Sequence, residues 1–509
     1  MTHWVILPVL LPLIGGLLQL VIRRFSFPVQ RVLGLALVGG LLTVSIKMLL
    51  LAQAGETQVY NLGSWPAPFG IVLALDRLAA MMVLLTSLLA LAALGYASVM
   101  RVDEQGSHFH VLIQLQLFGL NGAFLTGDVF NLFVFFEVLL LASYGLVLHG
   151  SGARRTRAGL HYVVINLIGS TLFLFAVGAL YGGLGTLNIA DMALKVAEAP
   201  AERSGLIAAA ALLLLVVFAL KAAMFPLYLW LPQAYANTSA PVAAFFAIMT
   251  KVGVYAIIRV HGTVFGGRAG ELAWLHMPWV LSGGMITLVL AALGVVAARG
   301  LREQVSYLVL ASVATLLIAV GLNRPQALAA GLYYLLHSTL VAAAFFLLAD
   351  LIRRSRGAAS DRFDAAVQMQ DRKWLGIGFF FAAVALAGLP PMSGFIGKIM
   401  ILDAALEHPW RWSVLASVLT ASLLILVALV RSGSFLFYRP QQVALIEDAL
   451  IVESPKKSAL WLISGLLVMS PLLALFAGEV MNFTTKTATQ LQQVPAYIEA
   501  VMRNPTIGG

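Results

Sequence analysis

The stretch that decides the fold lies at residues 386–406 and reads LAGLPPMSGFIGKIMILDAAL. It is apolar enough to lie in a membrane, yet it contains two adjacent prolines, three glycines and one lysine. Proline removes a backbone donor and breaks helices, and a lysine at the centre of a bilayer costs about 2.5–3.5 kcal/mol on an insertion scale. The rest of the sequence has to explain why a helix break and a buried charge occur together.

The composition indicates a polytopic helical membrane protein. Of 509 residues, 61% are hydrophobic and 11% are charged, whereas about a quarter of the residues of a soluble protein are charged. Apolar runs of about 20 residues, long enough to cross a bilayer, recur along the chain. The absence of cysteine excludes disulfides, thiolate metal sites and Cys-ligated iron–sulfur clusters within this chain.

Fourteen membrane spans are predicted, with no soluble domain between them. They lie near 4–22, 31–53, 76–99, 109–126, 129–149, 160–181, 206–228, 240–260, 277–298, 303–321, 327–352, 374–405, 412–437 and 459–480. The longest polar stretches, at 182–205, 353–373 and 439–458, are interpreted as linkers, and the tail after residue 481 as a short interfacial segment.

The distribution of basic residues predicts the topology. Odd-numbered loops hold nineteen Lys and Arg residues, and even-numbered loops together with both termini hold seven. Basic residues concentrate in cytoplasmic loops, so an even number of spans with both termini outside is predicted, in a bacterial inner membrane. The same rule accounts for the net charge of +10 without a nucleic-acid partner.

Three of the cations that remain inside spans lie near span ends. Lys47, Arg77 and Arg259 are therefore expected to snorkel, with the head group reaching the interface.

Glu137, Lys221, Lys251 and Lys398 lie too deep to snorkel easily. Glu137 is eight residues, Lys251 eleven and Lys221 fifteen from the nearest span start, which corresponds to about 12, 16 and 22 Å of helix. Buried ionisable groups in membranes pair with one another or line ion and proton pathways. One acid cannot neutralise three lysines, so we favour proton translocation over a structural ion pair.

Two apolar segments carry a proline break within about two turns of a deep lysine. Pro226 and Pro232 follow Lys221, and Pro390 and Pro391 precede Lys398. Transporters use discontinuous helices at their binding sites, in corresponding positions of two halves. The two segments run in opposite directions under the predicted topology, which favours two inverted five-helix repeats formed by spans 4–8 and 9–13.

The remaining polar groups are more ambiguous. His337 lies inside the eleventh span, and histidine titrates near neutral pH, which favours a relay over a structural role. Asp76, Asp128 and Asp350 lie at span ends and are either pathway mouths or helix caps. His108 and His110 have a poor spacing for a metal on one helical face. The sequence contains no nucleotide-binding, zinc-protease or nucleophile-elbow motif.

Three stretches together resemble a known family: GDVFNLFVFFEVLLLASYGLVL at 127–148, KAAMFPLYLWLPQAYANTSAPVAAFFAIMTKVGVY at 221–255 and LAGLPPMSGFIGK at 386–398. They look like the antiporter-like subunits shared by respiratory complex I and the Mrp-type multisubunit cation/proton antiporters. The resemblance covers nearly the whole chain and is densest from about 76 to 400. Within the family the stretches look most like the D subunit of the Mrp antiporters, the Pha-type potassium branch in particular.

The resemblance implies an all-α fold of fourteen transmembrane helices with discontinuous seventh and twelfth helices and a polar axis across the membrane centre. It implies a single membrane domain over 1–509, with repeats at 108–262 and 277–437 and flanking helices in 1–100 and 459–480.

The resemblance also assigns residue roles. Glu137 and Lys221 resemble the family's paired modulator and proton carrier, and Lys251 the connecting group. His337 resembles the eleventh-helix histidine, and Lys398 the terminal lysine, which is glutamate in one complex I relative. Many relatives also carry a lysine shortly after the histidine. Here residues 341–343 are Val-Ala-Ala, so the link from His337 to Lys398 needs water or another side chain.

The sequence therefore predicts a membrane subunit of a Na⁺/H⁺ or K⁺/H⁺ antiporter, a transporter rather than an enzyme, without cofactor or metal. Its expected partners are other membrane subunits, the lipid bilayer, protons and the exchanged cation. Two alternatives stay open: a proton-pumping subunit of a complex I-like or hydrogenase-like redox enzyme, and a scaffold whose buried ions only hold helices together.

Overall fold

The computed structural model describes residues 3–364, 369, 371–438 and 455–503. Most of the predicted linker at 439–458, including Arg439, lies outside the described residues. The chain is helical from its first described residues to its last, and one buried apolar core runs from Val5 to Val501.

The helices have the following bounds. The first nine are α1 Leu7–Ile22, α2 Phe27–Ala52, α3 Arg77–Val99, α4 Phe109–Leu125, α5 Val129–Leu148, α6 Ala153–Leu184, α7 Ile189–Ala197, α8 Ala201–Lys221 and α9 Trp230–Asn237. They are followed by α10 Ala240–Phe246, α11 Met249–Ala256, α12 Gly262–Val264, α13 Met277–Ala297, α14 Leu301–Gly321 and α15 Pro325–Ser355. The last six are α16 Arg372–Ala387, α17 Ser393–Ala405, α18 Arg411–Gly433, α19 Lys457–Leu475, α20 Ala477–Gln492 and α21 Val494–Met502.

Every predicted span corresponds to a helix or an interrupted helix. Eleven helical segments of the described chain are long and apolar enough to cross a membrane. Two shorter apolar helices, Leu7–Ile22 and Phe109–Leu125, and the interrupted pair α16–α17 account for the other three predicted spans. The all-α architecture with membrane-length helices is thus confirmed, whereas the division into inverted repeats stays a prediction.

The two ends of the helical bundle differ in what they carry. One end, called the terminal face, holds the 3-10 turn His3–Val5, an antiparallel hairpin of β1 Gln58–Asn61 and β2 Val72–Leu75, and the tail helix α21. The opposite end, called the basic face, holds the loops at 100–108, 149–152 and 298–300. The hairpin, α7 within the predicted linker 182–205 and the tail helix α21 are elements that span prediction missed, because each is too short to produce an apolar run. The tail helix α20 was missed because its residues are mostly polar.

Both predicted breaks are present. Helix α8 ends at Lys221 and α9 begins at Trp230, with Pro226 in the turn between them. Helix α16 ends at Ala387 and α17 begins at Ser393, with Pro390 and Pro391 in between. At each break, main-chain carbonyl groups of the preceding helix have no hydrogen-bond partner within that helix.

One predicted break residue is wrong. Pro232 is the third residue of α9 and lies in its first turn. A first-turn amide has no intrahelical acceptor, so proline there costs no helical hydrogen bond. Pro232 therefore helps to start a helix instead of breaking one.

The eighth span contains a break that proline positions could not reveal. It consists of α10, α11, a π-turn at Ile257–His261 and α12. The amides of Ala247 and Ile248 bond three residues back, which tightens the junction between α10 and α11. π-turns inside helices often mark functional sites, and this one lies two turns beyond Lys251.

Gly253 allows α11 to cross the end of α8 at close range. A Cβ atom at this position would overlap the amide nitrogen of Ala222 and lie 2.8 Å from the carbonyl oxygen of Phe218. Both obstacles are backbone atoms, which cannot rotate away. The close crossing positions Lys251 against the break that follows Lys221.

We expect Gly253→Ala to destabilise the protein by about 1–3 kcal/mol, the usual cost of forcing a methyl group into a packed core. Gly262→Ala in the same broken span is the matched control, because a Cβ there meets nothing within 4 Å. Thermal unfolding of the purified protein in detergent measures both. Equal midpoints for the two variants would contradict the close crossing.

Candidate functional site

Lys221 is the last residue of α8, where the helix dipole favours a positive charge. The side chain is buried, and Nζ lies 3.1 Å from Oδ1 of Asn166 on α6. The amide group of Asn166 in turn donates to the carbonyl of Tyr162. An ammonium at Lys221 thus has a neutral oxygen as its partner.

Glu137, on α5, is half-buried and accepts a hydrogen bond from the hydroxyl of Ser170. Ser170 lies one turn after Asn166 on α6, about 6 Å along the helix. The predicted pair of Glu137 and Lys221 is therefore connected through α6 in this conformation, and no direct ion pair forms within 4 Å.

Lys251 is completely buried near the start of α11. Its Nζ donates to the hydroxyl of Ser312 on α14 at 3.1 Å. Ser312 donates to the carbonyl of Val309 at 2.7 Å. A hydroxyl can accept from an ammonium or donate to a neutral amine, so this partner suits either protonation state of the lysine.

Lys398 on α17 reaches back across the break to the end of α16. Its Nζ lies 2.9 Å from the carbonyl oxygen of Ala387, the last residue of α16, and 3.1 Å from the hydroxyl of Ser422 on α18. Gly388 caps α16 with φ +78°, and a Cβ there would lie 2.8 Å from Cδ of Lys398. The break thus exposes an acceptor for the charge, and the glycine makes room for the side chain.

His337 is buried on α15 and also binds the end of α16. Its Nε2 is 3.1 Å from the carbonyl oxygen of Ala385, which can only accept, so Nε2 carries the proton in the neutral ring. Its Nδ1 then accepts from the hydroxyl of Ser393 at 2.7 Å. No hydrogen bond joins His337 to Lys398 in the described part of the chain. His337 binds the carbonyl of Ala385 and Lys398 binds the carbonyl of Ala387, so both side chains contact the end of α16.

A small cavity lies beside each break. One of about 20 Å³ is bordered by Lys221, Asn166 and Trp230, and also by Met249 and Val252, which flank Lys251 in α11. A water needs about 10–15 Å³ and polar partners. The first cavity therefore suits one water between Lys221 and α11.

The second cavity, of about 10 Å³, is bordered by Lys398, Ser422 and Tyr334, and also by Ala311 and Thr315 on α14. These two α14 residues flank Ser312, the partner of Lys251. The order across the helical bundle is thus Lys221, the first cavity, Lys251, the second cavity and Lys398.

Three further acidic residues were predicted as mouths or caps, and the structure shows caps at two of them. Asp76 accepts from the amide of Ala79 at the start of α3, and Asp128 from the amide of Asn131 at the start of α5. Burial raises the pKa of Asp128 to about 6, while amide hydrogen bonds act in the opposite direction.

Asp350, at the basic end of α15, is fully paired. It lies 2.8 Å from Arg353 and 2.9 Å from Arg354, and accepts from the hydroxyl of Tyr96 at 3.0 Å. Groups held this tightly between two cations act as structural anchors.

The expectation that Arg259 snorkels is wrong. Arg259 is 3% exposed, and its guanidinium lies 2.6 Å from the carboxylate of Asp76. Lys47 and Arg77 fit the expectation better, since Lys47 is exposed near Trp4 and Arg77 donates to the carbonyl of Gln53 at the terminal end of α2. Span-end position alone could not identify a partner 183 residues away.

The hydrogen-bond partners of the lysines were not predicted. A sequence signal exists for Asn166 and Ser170, which are four residues apart in an apolar span and therefore share a helix face. Ser312 and Ser422 each lie in a helix with several other hydroxyl residues, such as Thr315 on α14 and Ser417 on α18, so the sequence does not single them out. Within the described residues, no group of three His, Asp or Glu side chains could hold a metal ion.

The chain is similar to known proteins over nearly its whole length. Residues 126–424 match the family model for the transmembrane region of NADH:quinone oxidoreductase and Mrp antiporters. The chain is 40% identical to the probable D subunit of a K(+)/H(+) antiporter of Rhizobium meliloti, over 99% of this chain and 98% of the relative. The chain belongs to the NADH:quinone oxidoreductase/Mrp antiporter family.

Other members of this family extend the similarity. The D subunit of a Na(+)/H(+) antiporter of Alkalihalophilus pseudofirmus is 36% identical over 99% of this chain and 100% of the relative. A chain in the Mrp complex from Dietzia sp. DQ12-45-1b matches with a TM-score of 0.87 at 28% identity, over 99% of this chain and 100% of that one. A chain of respiratory complex I from Thermus thermophilus matches with a TM-score of 0.78 at 22% identity, over 96% of this chain and 99% of that one. This match shows that the two chains share a fold.

We expect Asp350→Asn to lower stability by about 1.5–3 kcal/mol, because it replaces charge-assisted hydrogen bonds at a buried anchor. Asp364→Asn is the control, since the ion pair of Asp364 with Arg362 is exposed on both sides and such pairs are worth at most about 1 kcal/mol. Thermal unfolding midpoints compare the two. Similar small losses in both would mean that Asp350 is not an anchor.

Proposed function

We propose that this protein is the proton-translocating membrane subunit of a multisubunit antiporter that exchanges Na⁺ or K⁺ for protons. The observation that carries the proposal is the row of Lys221, Lys251 and Lys398. In the described part of the chain none of them has a carboxylate within 4 Å, and each has a neutral partner. The antiporter names of the two relatives support the exchange of a monovalent cation for protons.

The neutral partners suit reversible protonation. A buried ion pair would hold a lysine charged, and its role would then be structural. Ser312 and Ser422 can instead accept from an ammonium or donate to an amine. Lys251 and Lys398 can thus gain and lose a proton without losing their hydrogen bonds, and the adjacent cavities suit the waters that would carry it.

Glu137 is proposed to control the first lysine. Its carboxylate and the oxygen that binds Lys221 are held by neighbouring turns of α6, so a rearrangement of Ser170 would let Glu137 approach Lys221. An approaching carboxylate stabilises the ammonium, and a retreating one releases its proton. Proton transfer would then proceed through Lys251 toward Lys398, with His337 fixing the end of α16 and relaying through Ser393.

The entry and exit residues are proposals of the same kind. Asp128 is the best candidate for a mouth on the terminal face, because it is partly exposed and its raised pKa lies near neutral pH. The ion pairs of Asp350 favour a structural role for that residue. Asp76 is tied to Arg259, which makes it a poor candidate for a mouth.

The proposal extends to surroundings and partners. The chain is a multi-pass membrane protein of a bacterial antiporter family. We propose that the protein lies in the inner membrane with both termini outside. We propose further that it contacts lipid and the other membrane subunits of one complex. Exposed apolar residues on α5 and α6, such as Leu141, Leu167 and Phe175, give a surface for such contacts.

A redox-enzyme subunit is the second candidate. A chain of an archaeal membrane-bound sulfane sulfur reductase shares the fold with a TM-score of 0.87, although the identity is only 21%. Purification of the protein with its bound partners, followed by mass spectrometry of those partners, distinguishes the two candidate functions. Soluble redox subunits would favour the respiratory role, and small membrane proteins alone would favour the antiporter.

We expect Lys398→Ala to abolish cation-driven proton exchange, because it removes the last titratable group of the row. Everted vesicles containing the whole complex, loaded with a pH-sensitive dye and tested with Na⁺ and with K⁺, measure the exchange and identify the cation. Lys47→Ala is the control, since Lys47 is exposed and outside the row. Wild-type exchange by an assembled Lys398→Ala complex would refute the proposed pathway and favour the scaffold hypothesis.

We expect Ser312→Ala to slow exchange several-fold without abolishing it, because Lys251 keeps its place but loses its hydroxyl partner. Ser282→Ala is the matched control on α13, where the hydroxyl is exposed and bonds only to its own helix. The same vesicle assay applies. A loss that is equal in both variants would indicate a general defect in the complex.

A further inference from the structure

We infer that the eighth span carries a closed side route from Lys251 to a water-filled cavity on the terminal face, and that the ion pair of Asp76 with Arg259 closes it. The inference rests on the proposed function for what the route conducts. Its geometry, however, can be tested without any transport measurement.

The first part of the route lies along one side of the eighth span. Lys251, Tyr255 and Arg259 follow one another at four-residue intervals, so they share a helix face. Nε of Arg259 donates to the hydroxyl of Tyr255 at 3.2 Å, and that hydroxyl donates to the carbonyl of Phe124 at 2.5 Å. A polar side chain thus occupies each turn between the central lysine and the terminal end.

The π-turn at Ile257–His261 contains Arg259. Its guanidinium lies 2.6 Å from the carboxylate of Asp76, the residue that caps the start of α3. The irregular turn thus carries the arginine of the buried pair.

The second part of the route is a cavity of about 400 Å³. Asp76 and Arg259 form its floor, and Thr263, Glu56 and Tyr497 contribute to its walls. A cavity of this size and lining holds many waters. The tail helix α21 covers one side of it, since Tyr497 belongs to that helix.

Arg259 is suited to closing the route, and unsuited to carrying a proton. A guanidinium does not deprotonate in proteins, and a fixed arginine charge excludes protons and cations from narrow pores. Its Cζ lies 5.5 Å from the ring of Tyr255 and 5.6 Å from the ring of Tyr497, so aromatic faces hold it on both sides.

Tyr497 lies beside the pair and carries a polar group without a partner among the described residues. It is 7% exposed, and its hydroxyl is buried without a hydrogen-bond partner in the described part of the chain. A buried hydroxyl without a partner is costly. Water that enters when the pair opens would supply this partner, which favours a hydrated open state of the route.

The test uses the natural absence of cysteine from the chain. Single cysteines are introduced in the intact complex by Thr263→Cys in the cavity wall, Tyr255→Cys on the route and Val254→Cys as the control on another side of the helix. A membrane-impermeant maleimide is then applied to vesicles of each orientation. Asp76→Asn, combined with each cysteine, removes the ion pair.

We expect Thr263→Cys to react from the terminal face with and without Asp76→Asn. Tyr255→Cys should react at least ten-fold faster when Asp76→Asn is present, again only from the terminal face, and Val254→Cys should stay unreactive. Unchanged reactivity of Tyr255→Cys, or equal gains at Val254→Cys, would overturn the inference.

A variant that replaces both partners, Asp76→Asn with Arg259→Gln, guards against simple unfolding. It removes both charges of the pair, so the complex should assemble at the wild-type level while proton leak without added Na⁺ or K⁺ rises several-fold. Assembly with no rise in leak and no rise in Tyr255→Cys labelling would overturn the route. Labelling that changes as expected while Lys398→Ala leaves exchange intact would instead refute only the proposed main pathway.

Discussion

The central problem of this protein is to accommodate a charge within a bilayer. The contact between the ammonium group of Lys398 and the carbonyl oxygen of Ala387 solves it. In a continuous helix that carbonyl would face the amide of residue 391, but residue 391 is proline and has no N–H to donate. Without such an acceptor, a lysine at the centre of a bilayer faces a cost of several kcal/mol. Ending α16 frees the carbonyl, and the glycine cap leaves room for the side chain. The two apparent defects of the segment are therefore one solution, because the break supplies the partner that the charge requires.

The break after Lys221 also supplies a buried lysine with a partner, but in a different way. There the lysine itself ends the helix, and the acceptor is Asn166 on a neighbouring helix. This difference explains why lysine precedes the proline in one segment and follows it in the other. Lys251 has neither device: it is completely buried, and its hydrogen-bond partner is the hydroxyl of Ser312. The three sites thus share a neutral partner without sharing a sequence pattern.

The sequence predicted the fold well where apolar runs were long and broken by proline. Helices lie at all fourteen predicted spans and both predicted breaks are present, so apolar runs and prolines were sufficient to place them. The mid-membrane depth of the four central ionisable residues stays a prediction. It failed where structure depends on contacts between distant residues. The pairing of Arg259 with Asp76, the serine partners of Lys251 and Lys398, and the break inside the eighth span have no local signature. Pro232 was misread because a proline in the first turn of a helix looks, in sequence, like one that ends it.

The close crossing at Gly253 has a mechanical consequence. Because no side chain separates the backbones of α11 and the end of α8, there is no soft layer to absorb a shift between them. A sliding or rotation of α11 would push directly on the peptide group that joins Lys221 to Ala222. The positions of Lys251 and Lys221 are therefore coupled through their backbones, because a movement of one helix end displaces the other.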